Sequence, residues 1–223
     1  MSANENTLSV RVELALRDFT LDVAFDVPPG VTVLFGPSGA GKSRTLACIA
    51  GIQNPDRGRI AFGDDVWFEG RRSLAIERRR VAYVFQSLAL FPHMTAEQNV
   101  AYGVDRTLNA AARDAHAKKM LERMHVPHLI GRKPRTYSGG EAQRVALARA
   151  FAMNPRVLLL DEPFSALDEG VKKELMTDAA EWIEREKIPT ILVTHHAEEA
   201  RILGKRTVLL DKGKVAASRE ISS

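Results

Sequence analysis

Apolar and polar residues along this chain follow more than one rhythm. Residues 8–16 and 20–27 alternate between the two, the period of half-buried strands, with Arg17-Asp18-Phe19 between them. This predicts an antiparallel hairpin, closed off by Pro28-Pro29-Gly30. Five continuous apolar runs follow, at 31–35, 81–85, 157–160, 191–193 and 208–210. Unbroken runs of that length belong to strands covered on both faces. Helical patterns separate most of them, which predicts an α/β fold: a mainly parallel sheet with helices on both sides. Residues 96–131 are rich in Ala, Lys, Arg and Met at helical spacing, with no strand signal. A crossover of about fifty residues would be long for one connection. Residues 90–150 are therefore read as a helical insertion within one domain spanning 1–223.

Composition changes this picture little. The 223 residues are 45% hydrophobic and 27% charged, ordinary for a folded soluble chain. The net charge of +4 is weak for a nucleic-acid binder of this length. The basic cluster Arg78-Arg79-Arg80 is read as a solvated face or a partner contact, not a nucleic-acid site. The single cysteine, Cys48, excludes an intrachain disulfide and fits a reducing compartment. No apolar run approaches the roughly 18–20 residues of a membrane span. The opening MSANENTLSV lacks the layout of a signal peptide. The chain reads as soluble and cytosolic.

The candidate chemistry begins after the run at 31–35. Gly36-Pro37-Ser38-Gly39-Ala40-Gly41-Lys42-Ser43 fits GxxxxGK[ST] and leads into a helical pattern ending near Gly51. Glycines let backbone N–H groups turn inward around a phosphate, and the new helix points its positive end at the anion. Lys42 adds a mobile charge for terminal phosphates. The Ser43 hydroxyl suits Mg²⁺. The run at 157–160 ends in Asp161-Glu162. A charge at the mouth of a buried strand is costly unless paired. Asp161 is placed to hold Mg²⁺ beside Ser43. Strand alternation sends Glu162 to the other side, where it would polarise a water.

A second anion cradle is written at Tyr137-Ser138-Gly139-Gly140-Glu141. Ser138 and Glu141 fit a capping box. The two glycines, poor helix formers, leave bare backbone at the helix start. Two cradles with only one Lys-bearing loop suggest a composite site, the second cradle capping a nucleotide held by another copy.

These blocks, in this order, resemble ATP-binding cassette (ABC) ATPases, the motor subunits of ABC transporters. The likeness runs from about residue 8 to about 217 and implies a P-loop NTPase core with an N-terminal antiparallel β subdomain and an inserted helical subdomain. It implies MgATP hydrolysis by a head-to-tail dimer of identical copies. The phosphate loop would be residues 36–43, with Arg44 following. Gln86 would be the Gln-loop residue that reaches Mg²⁺ and senses the membrane partner. Residues 138–140 would bind the γ-phosphate across the dimer, with Glu141 next to them. Asp161 and Glu162 would be the metal-holding and catalytic carboxylates. Ser165-Ala166-Leu167-Asp168 would cross the interface, and His195 would be the switch histidine. His196 has no such role. No His spacing suggests a transition-metal site. Phe19 is the candidate for stacking on adenine.

Three departures from the family stand out. Glu141 stands where a Gln is usual, adding negative charge near a triphosphate, and Tyr137 replaces a commoner Leu. Arg44 stands where Thr is frequent. Residues 79–86, with Leu90-Phe91-Pro92-His93, resemble importer ATPases for oxyanions, molybdate especially. That implies permease subunits, indirectly a solute-binding protein, and a place on the inner face of the cell membrane. The C-terminal regulatory domain common in that group is not found before Ser223. Other classes were weighed. Chromosome-maintenance ATPases insert a long coiled coil that residues 87–137 cannot hold. A P-loop kinase would lack the 138–141 block, the 165–168 loop and His195. A soluble cassette in cofactor assembly or scaffolding stays open.

Overall fold

The computed structural model describes residues 6–221. Residues 1–5 of the opening MSANENTLSV, and the chain end at Ser222-Ser223, lie outside the described residues. The hairpin forms as patterned: β1 (Leu8–Ala15) pairs antiparallel with β2 (Thr20–Val27). The chain continues through β3 (Gly30–Phe35), α1 (Lys42–Ala50), β4 (Arg57–Phe62), β5 (Asp65–Glu69) and β6 (Arg72–Ser73). A short α2 (Ile76–Arg79) precedes β7 (Val81–Val84). Three helices follow: α3 (Ala96–Ala101), α4 (Ala110–Arg123) and α5 (Gly139–Ala152). Then come β8 (Val157–Asp161), α6 (Glu169–Glu186), β9 (Pro189–Val193), α7 (Ala197–Leu203), β10 (Gly204–Asp211) and β11 (Lys214–Glu220).

The chain divides into two compact units. The first comprises residues 1–81, 156–161 and 176–223; the second comprises 82–155 and 162–175. The first holds a sheet in the order β6-β5-β4-β1-β2-β11-β10-β3-β9-β8. At the β8 end the pairings β10:β3, β3:β9 and β9:β8 are all parallel. At the β6 end, β1:β2, β1:β4, β4:β5 and β5:β6 are antiparallel. The two rhythms of the sequence thus sort into the two halves of one sheet. β8 and β9 are buried at every position, as continuous apolar runs require. β1 and β2 are buried at alternate positions along most of their length.

In the second unit α3, α4 and α5 pack on one another around Leu121, Met124, Leu129, Val145 and Leu147. Their starts are capped by side chains that take up otherwise orphaned N–H groups. Thr95 and Gln98 form a capping box on α3, Asn109 accepts from Ala112 N (2.9 Å) on α4, and Ser138 and Glu141 form the box foreseen on α5. Among the described residues, no helix is long and apolar enough to cross a membrane.

One sequence reading needs correction. Arg79 is no surface cation: it is 1% exposed. Its guanidinium donates to the carbonyls of Cys48 (3.0 Å), Ile49 (2.8 Å), Leu74 (3.1 Å) and Trp67 (3.3 Å). Two of these carbonyls belong to the last turn of α1, where a cation complements the helix dipole. Arg78 and Arg80 remain exposed.

Candidate functional site

In the first unit, the end of β3 turns abruptly into the phosphate loop. Gly36 makes the turn possible: a Cβ there would lie 2.3 Å from the Leu210 carbonyl oxygen. Gly41, at φ 102°, occupies the N-cap of α1 in a left-handed conformation that favours glycine. No side chain caps this helix start, and no acid lies in its first turn. Lys42 arches back over the loop, its Nζ donating to the carbonyls of Gly36 (2.8 Å) and Pro37 (3.0 Å). Thr45 Oγ1 donates to the Gly41 carbonyl (3.0 Å) from a buried position. Ser38, Gly39, Ser43 and Arg44 face solvent, and Ala40 is buried with its carbonyl bonded to Gly213 N (3.1 Å).

Ser43 Oγ donates to Asp161 Oδ2 at 2.9 Å. Asp161 is 6% exposed, so the strand-end carboxylate is paired as its burial demands. A hydroxyl and a carboxylate meeting at the mouth of a buried strand are hard oxygen donors of the kind Mg²⁺ takes. Among the described residues no group of three or more His, Cys, Asp or Glu could hold a metal unaided. The donors present therefore suit an ion that also binds substrate oxygens and water, which is the habit of Mg²⁺.

His195 follows β9 and is exposed, its ring 4.0 Å from that of His196. It shares the wall of a cavity of about 740 Å³ with Gly36, Pro37 and Thr194. Thr194 fixes this corner: its hydroxyl donates to the buried Glu199 carboxylate (2.6 Å) and accepts from His196 N (3.0 Å). Phe19 is half-buried, and its ring fills the space beside Gly213 and reaches towards Gly41. The structure thus brings the hairpin tip to the end of the phosphate loop.

In the second unit, Gln86 Nε2 donates to Glu162 Oε2 at 3.3 Å, joining two residues singled out from sequence. Strand alternation is not what places Glu162. Glu162 is not the next strand residue: β8 ends at Asp161, and Glu162 sits at φ 52°. A left-handed residue breaks the alternation, so the backbone turn, not the pleat, aims its carboxylate. Sequence reasoning missed what supports that turn. Gln143, 2% exposed on α5, donates to the Glu162 carbonyl (3.0 Å) and accepts from Ala166 N (2.9 Å). The signal was present as a lone amide on an otherwise apolar helix face.

The loop after Gln86 has two more unforeseen anchors. Arg149 on α5 donates to the carbonyls of Leu88 (2.9 Å) and Ala89 (2.8 Å), both at positive φ. Buried Asn99 accepts from Phe91 N (2.8 Å) and donates to the carbonyls of Phe91, Met94 and Thr95. Asp168 is exposed. Gly139 and Gly140 open α5 against Ala166; a Cβ on Gly140 would stand 3.1 Å from its carbonyl oxygen.

Residues 20–165 match the family described as ABC transporter. The chain belongs to the ABC transporter family. The molybdenum import ATP-binding protein ModC of Rhodospirillum rubrum is 43% identical over 211 residues, 94% of this chain and 56% of that protein. The molybdate/tungstate import ATP-binding protein WtpC of Archaeoglobus fulgidus is 43% identical over 210 residues, 93% of this chain and 85% of that protein. The chain thus spans little more than half the length of the ModC relative. Among solved structures, the dimeric ABC transporter cassette MJ0796 superposes with a TM-score of 0.85 at 26% identity, covering 97% of this chain and 99% of that one. The same cassette in a dimeric post-hydrolysis state, bound to ADP and Pi, gives the same TM-score.

In this ABC cassette the negative charge foreseen on Glu141 is bonded through both oxygens: Oε2 accepts from Ser138 N (2.7 Å), and Oε1 lies 2.7 Å from His128 Nε2. These bonds, that from His128 foremost, hold its carboxyl down at about 2. The neighbouring Tyr137 hydroxyl donates to the Arg132 carbonyl (2.8 Å), and burial raises it to about 12.

Proposed function

We propose that this chain is the ATP-hydrolysing subunit of an ABC importer for molybdate or another oxyanion. The observation that carries the ATPase reading is the Ser43–Asp161 pair at the foot of a loop closed by Lys42. Relatives named for molybdenum and molybdate/tungstate import support the importer reading. The proposal takes residues 1–223 as one cassette domain, with 90–150 as its helical part.

The mechanism follows from the residues. Backbone N–H groups of the 36–43 loop and the start of α1 bind the β- and γ-phosphates. Lys42 exchanges its bonds to the Gly36 and Pro37 carbonyls for phosphate oxygens. Ser43 and Asp161 would hold Mg²⁺, which would spread the negative charge of the β- and γ-phosphates. Glu162, next along the chain, orients a water and takes its proton. Gln86 holds that carboxylate before reaction and, in this reading, also approaches the metal. His195 stabilises the transferring phosphoryl group. Ser138, Gly139 and Gly140 of a second copy cap the γ-phosphate, so two ATP molecules close a head-to-tail dimer. Asp168 lies on the loop assigned to the dimer interface, and Phe19 stacks on adenine. Permease subunits receive the motion from the loop after Gln86, on the inner face of the membrane, and a solute-binding protein delivers the oxyanion to them.

The test is Glu162→Gln. Steady-state hydrolysis falls by about a thousandfold while ATP binding persists, because the general base is lost and the cradle kept. Unchanged turnover would overturn the assignment.

A further inference from the structure

We propose that His128 is a positioning residue for the second phosphate cradle, holding the Glu141 carboxylate in the capping box and away from the N–H groups where α5 meets a nucleotide. The inference rests on the reading of residues 138–140 as a γ-phosphate cap. It begins from a conflict. A helix start that receives an anion is best left without negative charge of its own. Here the third helical residue is an acid whose two oxygens lie at that start.

The structure resolves the conflict with one side chain from elsewhere. His128 sits in the single 3₁₀ turn Pro127–Leu129 that follows α4. Its Nε2 approaches Glu141 Oε1 at 2.7 Å, the short distance of a charge-assisted bond. Glu141 is ionised, so it only accepts, and the imidazole nitrogen must donate. The other carboxylate oxygen accepts from Ser138 N, and Ser138 Oγ accepts from Glu141 N (3.2 Å). One carboxylate oxygen is thus on the cap and the other on His128. The N–H groups of Gly139 and Gly140 take no part in the box, and they are the ones the reading assigns to phosphate.

The turn bearing His128 is itself fixed. Leu129 is fully buried, and Arg132 N donates to its carbonyl (2.9 Å). The Tyr137 hydroxyl, which feels both Glu97 and Glu141, stays neutral and bonded to the Arg132 carbonyl. Among the described residues, the His128 imidazole and the Ser138 N–H are the groups that bond the Glu141 carboxylate oxygens.

The role predicts an interaction that a structural histidine would lack. Removing His128 leaves Oε1 without its partner, so that only the Ser138 N–H bond to Oε2 holds the carboxylate beside the incoming phosphate. Making residue 141 neutral removes the need for the histidine. The test uses the Glu162→Gln chain, which should accumulate the ATP-bound dimer, and measures ATP-dependent dimerisation by sedimentation. His128→Ala weakens dimerisation about tenfold when residue 141 is Glu. The same substitution made on top of Glu141→Gln weakens it by less than about twofold, since the amide completes the box without a charge. Equal losses in the two backgrounds, or no loss in the first, overturn the inference. Thermal melting of each variant separates misfolding from mispositioning. If the parent binds ATP and stays monomeric at all concentrations, the γ-phosphate reading itself fails and the inference falls with it.

Discussion

The molecule begins two helices at glycine-rich turns, and it finishes them in opposite ways. At α1 no side chain caps the start and no acid lies in the first turn. The charged groups there are cations: Lys42, bonded to carbonyls of its own loop, and Arg44. At α5 a full capping box uses the Ser138 and Glu141 N–H groups, and the acid is matched by His128. The first start is kept open for an anion and carries its own positive charge. The second is closed on itself, leaving only Gly139 and Gly140 uncommitted to the box. On the proposed function, the difference sets a rank: α1 would hold a polyphosphate alone, and α5 would add a few contacts to one already held.

The largest test of that ranking is Lys42→Ala. It removes the one cation within the phosphate loop and the tie that closes it. Hydrolysis should fall by about a hundred- to a thousandfold, with nucleotide affinity falling too. No single change in residues 138–141 should match it in nucleotide binding by the monomer. Titration of a fluorescent ATP analogue into both variants checks this. Comparable losses at the two starts would erase the ranking.

Much of this was legible in the chain because backbone chemistry dictates residue type. The phosphate loop needs Gly36 where the Leu210 carbonyl leaves no room for a side chain. The runs now in β3, β8 and β9 read as buried strands because both faces are covered. Illegible were the residues that act through long-range contacts. Arg79 looked like one of three surface cations, and nothing nearby says that the end of α1 folds beneath it. Gln143 and Arg149 hold loops remote from them in sequence, so only packing reveals their partners. Glu162 failed for a different reason. Alternation holds only while the strand lasts, and a residue at φ 52° has left it. His128 carried no motif, and its meaning depends on an acid thirteen residues away.

A middle-sized effect compares glycines at the two starts. Gly36→Ala places a methyl 2.3 Å from a backbone carbonyl, a gap real Cβ atoms do not show, at a φ that side chains rarely adopt. The loop must shift, and stability should drop by about 2–4 kcal/mol. Gly140→Ala meets the Ala166 carbonyl at 3.1 Å without a positive φ, inside a helix that prefers alanine. Its stability should change by less than about 1 kcal/mol, strain and propensity opposing each other. Urea denaturation of both variants measures the difference, and a larger loss at Gly140 would invert the comparison.

The smallest effect is a titration. Glu141 is held at about 2 against an ordinary 4.5, chiefly by His128 and then by Ser138 N–H. A carboxyl depressed on folding contributes stability that is fully present above 4.5 and lost as pH falls towards 2. At α1 the first turn carries no acid, so that helix start contributes no such acid-side loss. In carboxyl-detected NMR, Glu141 should still be ionised about one unit below 4.5, where ordinary glutamates are largely protonated. His128→Ala removes the largest cause and should move the midpoint up, yet leave it below 4.5 because the Ser138 bond remains. A parent midpoint near 4.5 would mean that the two helix starts do not differ electrostatically, and that the closed cap of α5 is a matter of shape alone.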